Sequence, residues 1–268
     1  MDDLPAARDT NRGKECVARV AIVGAGPGEA DLLTLRAAAW LGRADVVVHD
    51  RLVGPGVLAH ARPGARLIDV GKSPGGRGHC QAAINALLVH HARAGRRVVR
   101  LKGGDPFIFG RGGEEIEALA RDGIAVEVVP GITAALGCAA AAGIPLTRRG
   151  LSRAVTLLTG ATAEGLADID WAALAGLGQT LVVYMGVAAA GAIAGRLIEA
   201  GLDAATPAAV IENGTLPGQR IVTATVASLG ETVEKHAIRA PALLVIGEVA
   251  RRDADAAAWA SFGHRETA

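Results

Sequence analysis

The chain has 268 residues, half of them apolar, with 28 basic and 27 acidic side chains. At about 150 residues per domain this fits two domains or one large one, and so apolar a composition excludes a disordered chain. A net charge of +1 and only seven aromatic residues exclude a general electrostatic grip on nucleic acid or an acidic membrane surface, and platforms for stacking single-stranded bases. A local basic patch can still bind a small polyanion.

Short Val/Ile/Leu-rich runs at 19–23, 46–49, 66–70, 97–102, 125–129, 154–159, 180–185, 208–212, 220–225 and 242–247 read as strands covered on both faces. Between them, 31–41, 81–94, 113–121 and 188–200 carry helical spacing; Ile84, Leu87, Leu88 and His91 share one helix face. The alternation argues for an α/β protein with mainly parallel sheets. The segment joining 208–212 to 220–225 is too short for a crossover helix, so this pair is expected to form an antiparallel hairpin. Gly143, Pro145 and Gly150 punctuate a boundary that divides the chain into α/β domains at 17–145 and 146–250. Residues 1–16 and 251–268 read as loosely ordered tails.

Cys16, Cys80 and Cys138 are far apart and form no CxxC, which fits neither a disulfide framework nor a zinc ribbon. A reduced, cytoplasmic setting is expected. The opening MDDLPAARDT lacks an apolar signal core, and the longest apolar run, 134–145, is too short to span a bilayer. His90-His91 lacks the HExxH arrangement and a nearby acidic partner, so no metal site is expected.

Three glycine-bearing loops follow strands. Gly24-Ala25-Gly26-Pro27-Gly28 imitates a dinucleotide fingerprint, but that motif needs glycine where Glu29 stands, and an acid at a helix start opposes a pyrophosphate. A tight structural turn is the plainer reading, although Asp50 could imitate the ribose-binding acid of a nicotinamide enzyme. The second loop, Gly103-Gly104-Asp105-Pro106, lies beyond a strand's carboxyl end, where open α/β sheets bind ligands. Its glycines allow main chain to approach a ligand, and Asp105 offers a carboxylate or a helix cap. The third, Pro130-Gly131-Ile132-Thr133-Ala134-Ala135, opens a small-residue helix that Thr133 could cap or against which a ligand could pack.

Taken in order, VGAGPGEADLLTLRA, DRLV at 50–53, Gly71-Lys72, LKGGDPFIFGRGGEE, VVPGITAA, GIPLTRRG and VYMG resemble the S-adenosylmethionine-dependent tetrapyrrole methylase family, over about 19–249. DRLV and GGDPFIFGRGGEE are most similar to its uroporphyrinogen-III C-methyltransferases, in their free-standing form. The resemblance implies a class III methyltransferase fold. Its N-terminal sheet is mostly parallel, its C-terminal sheet is mixed, and the cofactor lies in a cleft between two α/β domains. It also implies a homodimer and two methyl transfers to carbons 2 and 7 of uroporphyrinogen III; from the charge, no nucleic-acid or membrane partner is expected. The products are precorrin-2 and S-adenosyl-L-homocysteine, on routes to cobalamin, sirohaem or haem d1.

Carried over residue by residue, the resemblance makes Asp50 the proton acceptor and Lys72 the proton donor. Asp50 could instead pair with Arg51, and Lys72 could bind a substrate carboxylate. The cofactor positions implied are Pro27, Gly103, Gly104, Asp105, Ile108, Thr133, Ala134, Met185, Gly214 and Ala242, with Ile108 and Met185 suited to sandwich adenine. Met185 alone would read as core. Arg51, Arg111, Arg148 and Arg149 lie in matched loops and can clamp the eight substrate carboxylates, or stand as solvated charges. His49 and Ser73 depart from the usual tyrosine and arginine, and His49 reads as packing. Competing readings are a methylase acting at another corrin position or on ribosomal RNA, a nicotinamide-dependent dehydrogenase, and a non-catalytic tetrapyrrole carrier.

Overall fold

The computed structural model describes residues 19–71, 80–162 and 165–251. The first half of the chain runs β1 (Val20–Gly24), α1 (Leu35–Leu41), β2 (Val46–His49), α2 (Pro55–Leu58), β3 (Arg66–Asp69), α3 (Gln81–Arg93), β4 (Val98–Lys102), α4 (Gly112–Arg121), β5 (Val126–Val129) and α5 (Ala134–Ala141). Its five strands form one sheet in the order β3-β2-β4-β1-β5, every pair parallel. Continuous Val/Ile runs suit this because helices cover both faces. Alternation within each strand divides the core. Ala21, Val23, Val47, Val99 and Leu101 pack with Ala37, Trp40 and Leu41 of α1, while Val20, Val46, Val48 and Val98 pack with Ile84 and Leu88 of α3 and Leu119 of α4.

The second half runs β6 (Val155–Thr159), β7 (Ala161–Thr162), β8 (Gly165–Leu166), α6 (Trp171–Ala175), β9 (Thr180–Tyr184), α7 (Ala190–Glu199), β10 (Pro207–Glu212), β11 (Arg220–Thr225), α8 (Leu229–Lys235) and β12 (Ala242–Ile246). Its main sheet, β11-β10-β12-β9-β6, is mixed: β6 pairs parallel with β9, and the other pairs are antiparallel. The expected β10–β11 hairpin is present, with Val210 opposite Val222. One face packs on α7 and α8 through Ile193, Leu197 and Leu229. The other takes α5: Ala135, Cys138 and Ala142 sit among Val182, Ala209, Ile211, Leu243 and Val245. A helix that leaves the first sheet thus roofs the second.

All ten expected strands form. The helix expected from residue 31 begins later. Thr34 is extended and its hydroxyl caps α1 by accepting from the Ala37 N–H at 3.1 Å, while Ala30–Leu32 forms a separate 3-10 turn. The β7–β8 hairpin and the short helices α2, α6 and α8 were not anticipated, because segments this short carry no full apolar period.

The strand order contains a reversal of winding. From β1 the chain crosses towards β2 and β3, and from β4 it crosses the other way to β5, with β1 and β4 adjacent. Their carboxyl ends flank the point where the winding reverses, which is where open α/β sheets hold ligands.

Candidate active site

Both loops at this reversal are glycine-bearing, and they pair. Gly104 N–H donates to Gly26 O at 2.7 Å, Gly26 N–H donates to Gly104 O at 3.2 Å, and Ala25 N–H donates to Lys102 O at 2.7 Å. The loop after β5 closes onto them. A methyl group on Gly131 would lie 2.2 Å from Gly104 O and 2.8 Å from Gly24 Cα. Three strand ends therefore meet as bare main chain. Asp105 ties the junction further: Oδ1 accepts from Phe107 N–H at 2.9 Å and Oδ2 from Gly131 N–H at 3.1 Å. Gly104 has φ of +67°, a conformation that glycine adopts without strain.

Asp50 stands at the neighbouring strand end. Its N–H donates to Leu101 O at 3.1 Å, and its carboxylate, one-third exposed, accepts from Arg100 Nη2 at 2.5 Å. Arg51 was the alternative partner expected for Asp50; the structure pairs Asp50 with Arg100, which the sequence did not single out. The same loop borders Gly103, where an added methyl would touch Leu52 Cβ at 3.4 Å. His49 is buried, with Nδ1 3.2 Å from Asp50 O, as a packing residue would be.

Loops of the second sheet close on the first. Tyr184, ending β9, brings its hydroxyl 2.6 Å from Thr133 Oγ1, and the hydroxyl accepts from Ala135 N–H at 2.8 Å. So the opening turn of α5 is capped across the sheets by Tyr184, and Thr133 makes no side-chain cap of its own. Burial raises the Tyr184 phenol above its ordinary range. Its ring packs on Phe109, centroids 5.0 Å apart, which brings the loop of Ile108 alongside. Met185 follows with φ of +53° and 56% exposure, so it is not a core residue.

Gly214 packs on Cys138: a methyl there would lie 2.4 Å from Sγ. Burial pushes the Cys138 thiol up to about 11, so it stays protonated and inert. Pro27 packs on Gly137 in the same close manner, and Glu29 N–H donates to Thr215 Oγ1 at 3.4 Å. Ala242 begins β12 beside Asn213, whose N–H donates to Pro241 O at 3.0 Å. Pro27, Gly103, Gly104, Asp105, Ile108, Thr133, Ala134, Met185, Gly214 and Ala242 thus lie on loops and element ends that are linked to one another.

The proposed substrate arginines are less gathered. Arg111 sits at the start of α4 and pairs with Glu114 at 2.7 Å. Arg148 and Arg149 are exposed in a turn closed by an Arg148–Ser152 bridge, and no hydrogen bond or ion pair joins them to the Asp50 or Gly104 loops among the described residues. Arg51 is exposed beside Gly71. Lys72, Ser73, Cys16 and nearly all of the expected tails lie outside the described residues. Among the described residues no cluster of three His, Cys, Asp or Glu is placed to hold a metal ion, and no helix is long and apolar enough to cross a membrane.

Comparison with known proteins places the chain in a family. The chain is 52% identical over 256 residues to siroheme synthase of Azotobacter vinelandii, covering 96% of this chain and 55% of that protein. It is 54% identical over 230 residues to siroheme synthase of Xylella fastidiosa, covering 86% and 48%. The chain therefore spans about half the length of these curated relatives. The uroporphyrin-III C-methyl transferase of Thermus thermophilus, solved with S-adenosyl homocysteine, superposes with a TM-score of 0.75 at 44% identity, covering 87% of this chain and 94% of that one. A cobalt precorrin-4 methyltransferase superposes at 0.79 with 29% identity, covering 87% and 96%. Residues 19–230 match the profile of the tetrapyrrole (corrin/porphyrin) methylases, and the chain belongs to that family.

Proposed function

We propose that this chain is an S-adenosylmethionine-dependent C-methyltransferase that methylates carbons 2 and 7 of uroporphyrinogen III, giving precorrin-2 and S-adenosylhomocysteine. The observation that carries the reading is the meeting of the Asp50 loop with the bare main chain of Gly103 and Gly104 at the winding reversal. The residues fit the cofactor. Gly103, Gly104 and Ala134 leave room for close main-chain contact, while half-buried Ile108 and exposed Met185 offer apolar contact for adenine. Pro27, Thr133, Gly214 and Ala242 complete the lining, and Asp105 retains acceptor capacity beyond its two backbone bonds.

S-adenosylmethionine, when bound, supplies a methyl group on a positively charged sulfur. Positioning the acceptor carbon in line with it is the chain's main task. As the pyrrole carbon gains a methyl, the ring becomes positive and must release a proton; the Asp50 carboxylate stabilises that charge and accepts the proton. Arg51, Arg111, Arg148 and Arg149 hold the substrate's carboxylates, Arg111 by sharing its fork with Glu114. Lys72 donates a proton or binds a carboxylate.

A division into two domains, 17–145 and 146–250, belongs to this reading; the two separate sheets support it, although α5 reaches from the first onto the second. A homodimer is the assembly this reading expects. A reducing, cytoplasmic setting accords with the free thiols of Cys80 and Cys138. Incubation with methyl-labelled S-adenosylmethionine and uroporphyrinogen III tests the reading. Incorporation of two labels per ring supports it, and nicotinamide binding without methyl transfer rejects it.

A further inference from the structure

The face of the first sheet that meets α3 and α4 changes character along its length. Towards the amino ends it is apolar, with Val20, Val46, Val48 and Val98 against Leu88 and Leu119. Further along the same face of β4 stand Arg100 and Lys102, 2% and 3% exposed, and α4 meets them with fully buried Glu115. Glu115 Oε1 accepts from Arg100 Nε at 2.9 Å, Lys102 Nζ at 3.1 Å and Gln81 Nε2 at 3.2 Å, while Oε2 has no partner among the described residues. Two buried cations face one buried carboxylate, and the second anion is Asp50. Burial, with the Arg100 charge beside it, pushes the Lys102 ammonium below the ordinary lysine range. Well-packed apolar side chains would serve stability at least as well as such a cluster.

The guanidinium fork is committed on every side. Nε is held by Glu115, Nη1 donates to Leu101 O at 3.1 Å and Val48 O at 3.4 Å, and Nη2 donates to Asp50 Oδ1. A rigid planar donor fixed at two edges dictates where its third edge points. With the Asp50 N–H also bonded to Leu101 O, both the backbone and the side chain of Asp50 are anchored to β4.

We propose that Arg100 is a positioning residue for Asp50, with Glu115 fixing the guanidinium that fixes the carboxylate. The proposal rests on the reading of Asp50 as the proton acceptor. A double-mutant cycle in the full chain tests it, using Arg100→Lys, Asp50→Asn and the double variant. Lysine keeps the charge but cannot reach both Glu115 and Asp50 with a fork. Arg100→Lys is expected to lower kcat about 10- to 100-fold, with KM and the calorimetric affinity for S-adenosylhomocysteine unchanged. In the Asp50→Asn background the same substitution changes kcat by no more than about twofold, because the group it serves is already gone.

A turnover-independent arm follows urea unfolding: the fall in midpoint on Arg100→Lys is smaller in the Asp50→Asn background. If Arg100→Lys does not fold, the same cycle run with Glu115→Gln decides. Equal fold-losses of kcat in both backgrounds, or wild-type kcat in Arg100→Lys, overturn the proposal alone. Normal turnover in Asp50→Asn overturns the reading of Asp50 and the proposal with it.

Discussion

Replacing Gly131 by alanine places one methyl group where the ends of β1, β4 and β5 converge. That carbon would sit 2.2 Å from Gly104 O and 2.8 Å from Gly24 Cα, whereas ordinary contact begins near 3.4 Å, so something must move by about 1.2 Å. The neighbours are backbone atoms of hydrogen-bonded loops and cannot rotate aside. Overpacking of this kind costs about 1–3 kcal/mol. The displaced element is the Gly103–Asp105 loop, because the Gly131 N–H also donates to Asp105 Oδ2. A misplacement of about 1 Å in a binding loop is worth up to about 100-fold. Gly131→Ala should therefore lower the urea midpoint and weaken calorimetric binding of S-adenosylhomocysteine by about tenfold or more. Gly195→Ala is the control: it lies inside α7 with nothing within 4 Å of the added methyl, and should be neutral or stabilise by up to about 1 kcal/mol. If Gly131→Ala matched wild type in both midpoint and affinity, the tight three-glycine junction would be wrong as a determinant of binding.

Asp50→Asn is expected to retain S-adenosylhomocysteine binding and lose turnover by about two to four orders of magnitude, measured with labelled methyl donor. Gly104→Val should abolish calorimetric binding. The added carbon meets no protein atom closer than Ala134 N at 3.7 Å, but it stands where the cofactor would approach the bare main chain, and a β-branched residue at φ of +67° is strained. Tyr184→Phe removes the acceptor for Ala135 N–H and should cost about 1–3 kcal/mol in urea unfolding. Buried Glu212 is held below the usual carboxylate range by Arg220 and by the Arg239 N–H. Its stabilisation is present above pH 4.5, its ordinary value, and is lost as pH falls through the lower folded value. The stability gap between wild type and Glu212→Gln should accordingly narrow as unfolding is measured at successively lower pH in that window.

The strands were legible because buried parallel strands write themselves as unbroken Val/Ile/Leu runs, and the β10–β11 hairpin because seven residues cannot hold a crossover helix. The glycine loops could be placed beyond strand ends, where open α/β sheets bind ligands, because each follows an apolar run. What stayed hidden depended on register between distant elements. Two cations spaced as Arg100 and Lys102 in an otherwise apolar strand signal a buried anion, but nothing local says that the anion is Glu115 on the next helix, or that Asp50 shares it. Nor could an Ala-rich α5, apolar all round, reveal that it packs on the second sheet. Tyr184 was visible only as part of a matched motif, and its role as a cap for α5 needs the two sheets in place.

The most direct measurement is a crystal of the full chain grown with S-adenosylhomocysteine. Density is expected against Gly103, Gly104 and Asp105, between Thr133–Ala134 and Met185, with the thioether sulfur turned towards Asp50. Density for the ligand elsewhere, with the Gly103–Asp105 loop bare, would contradict this placement.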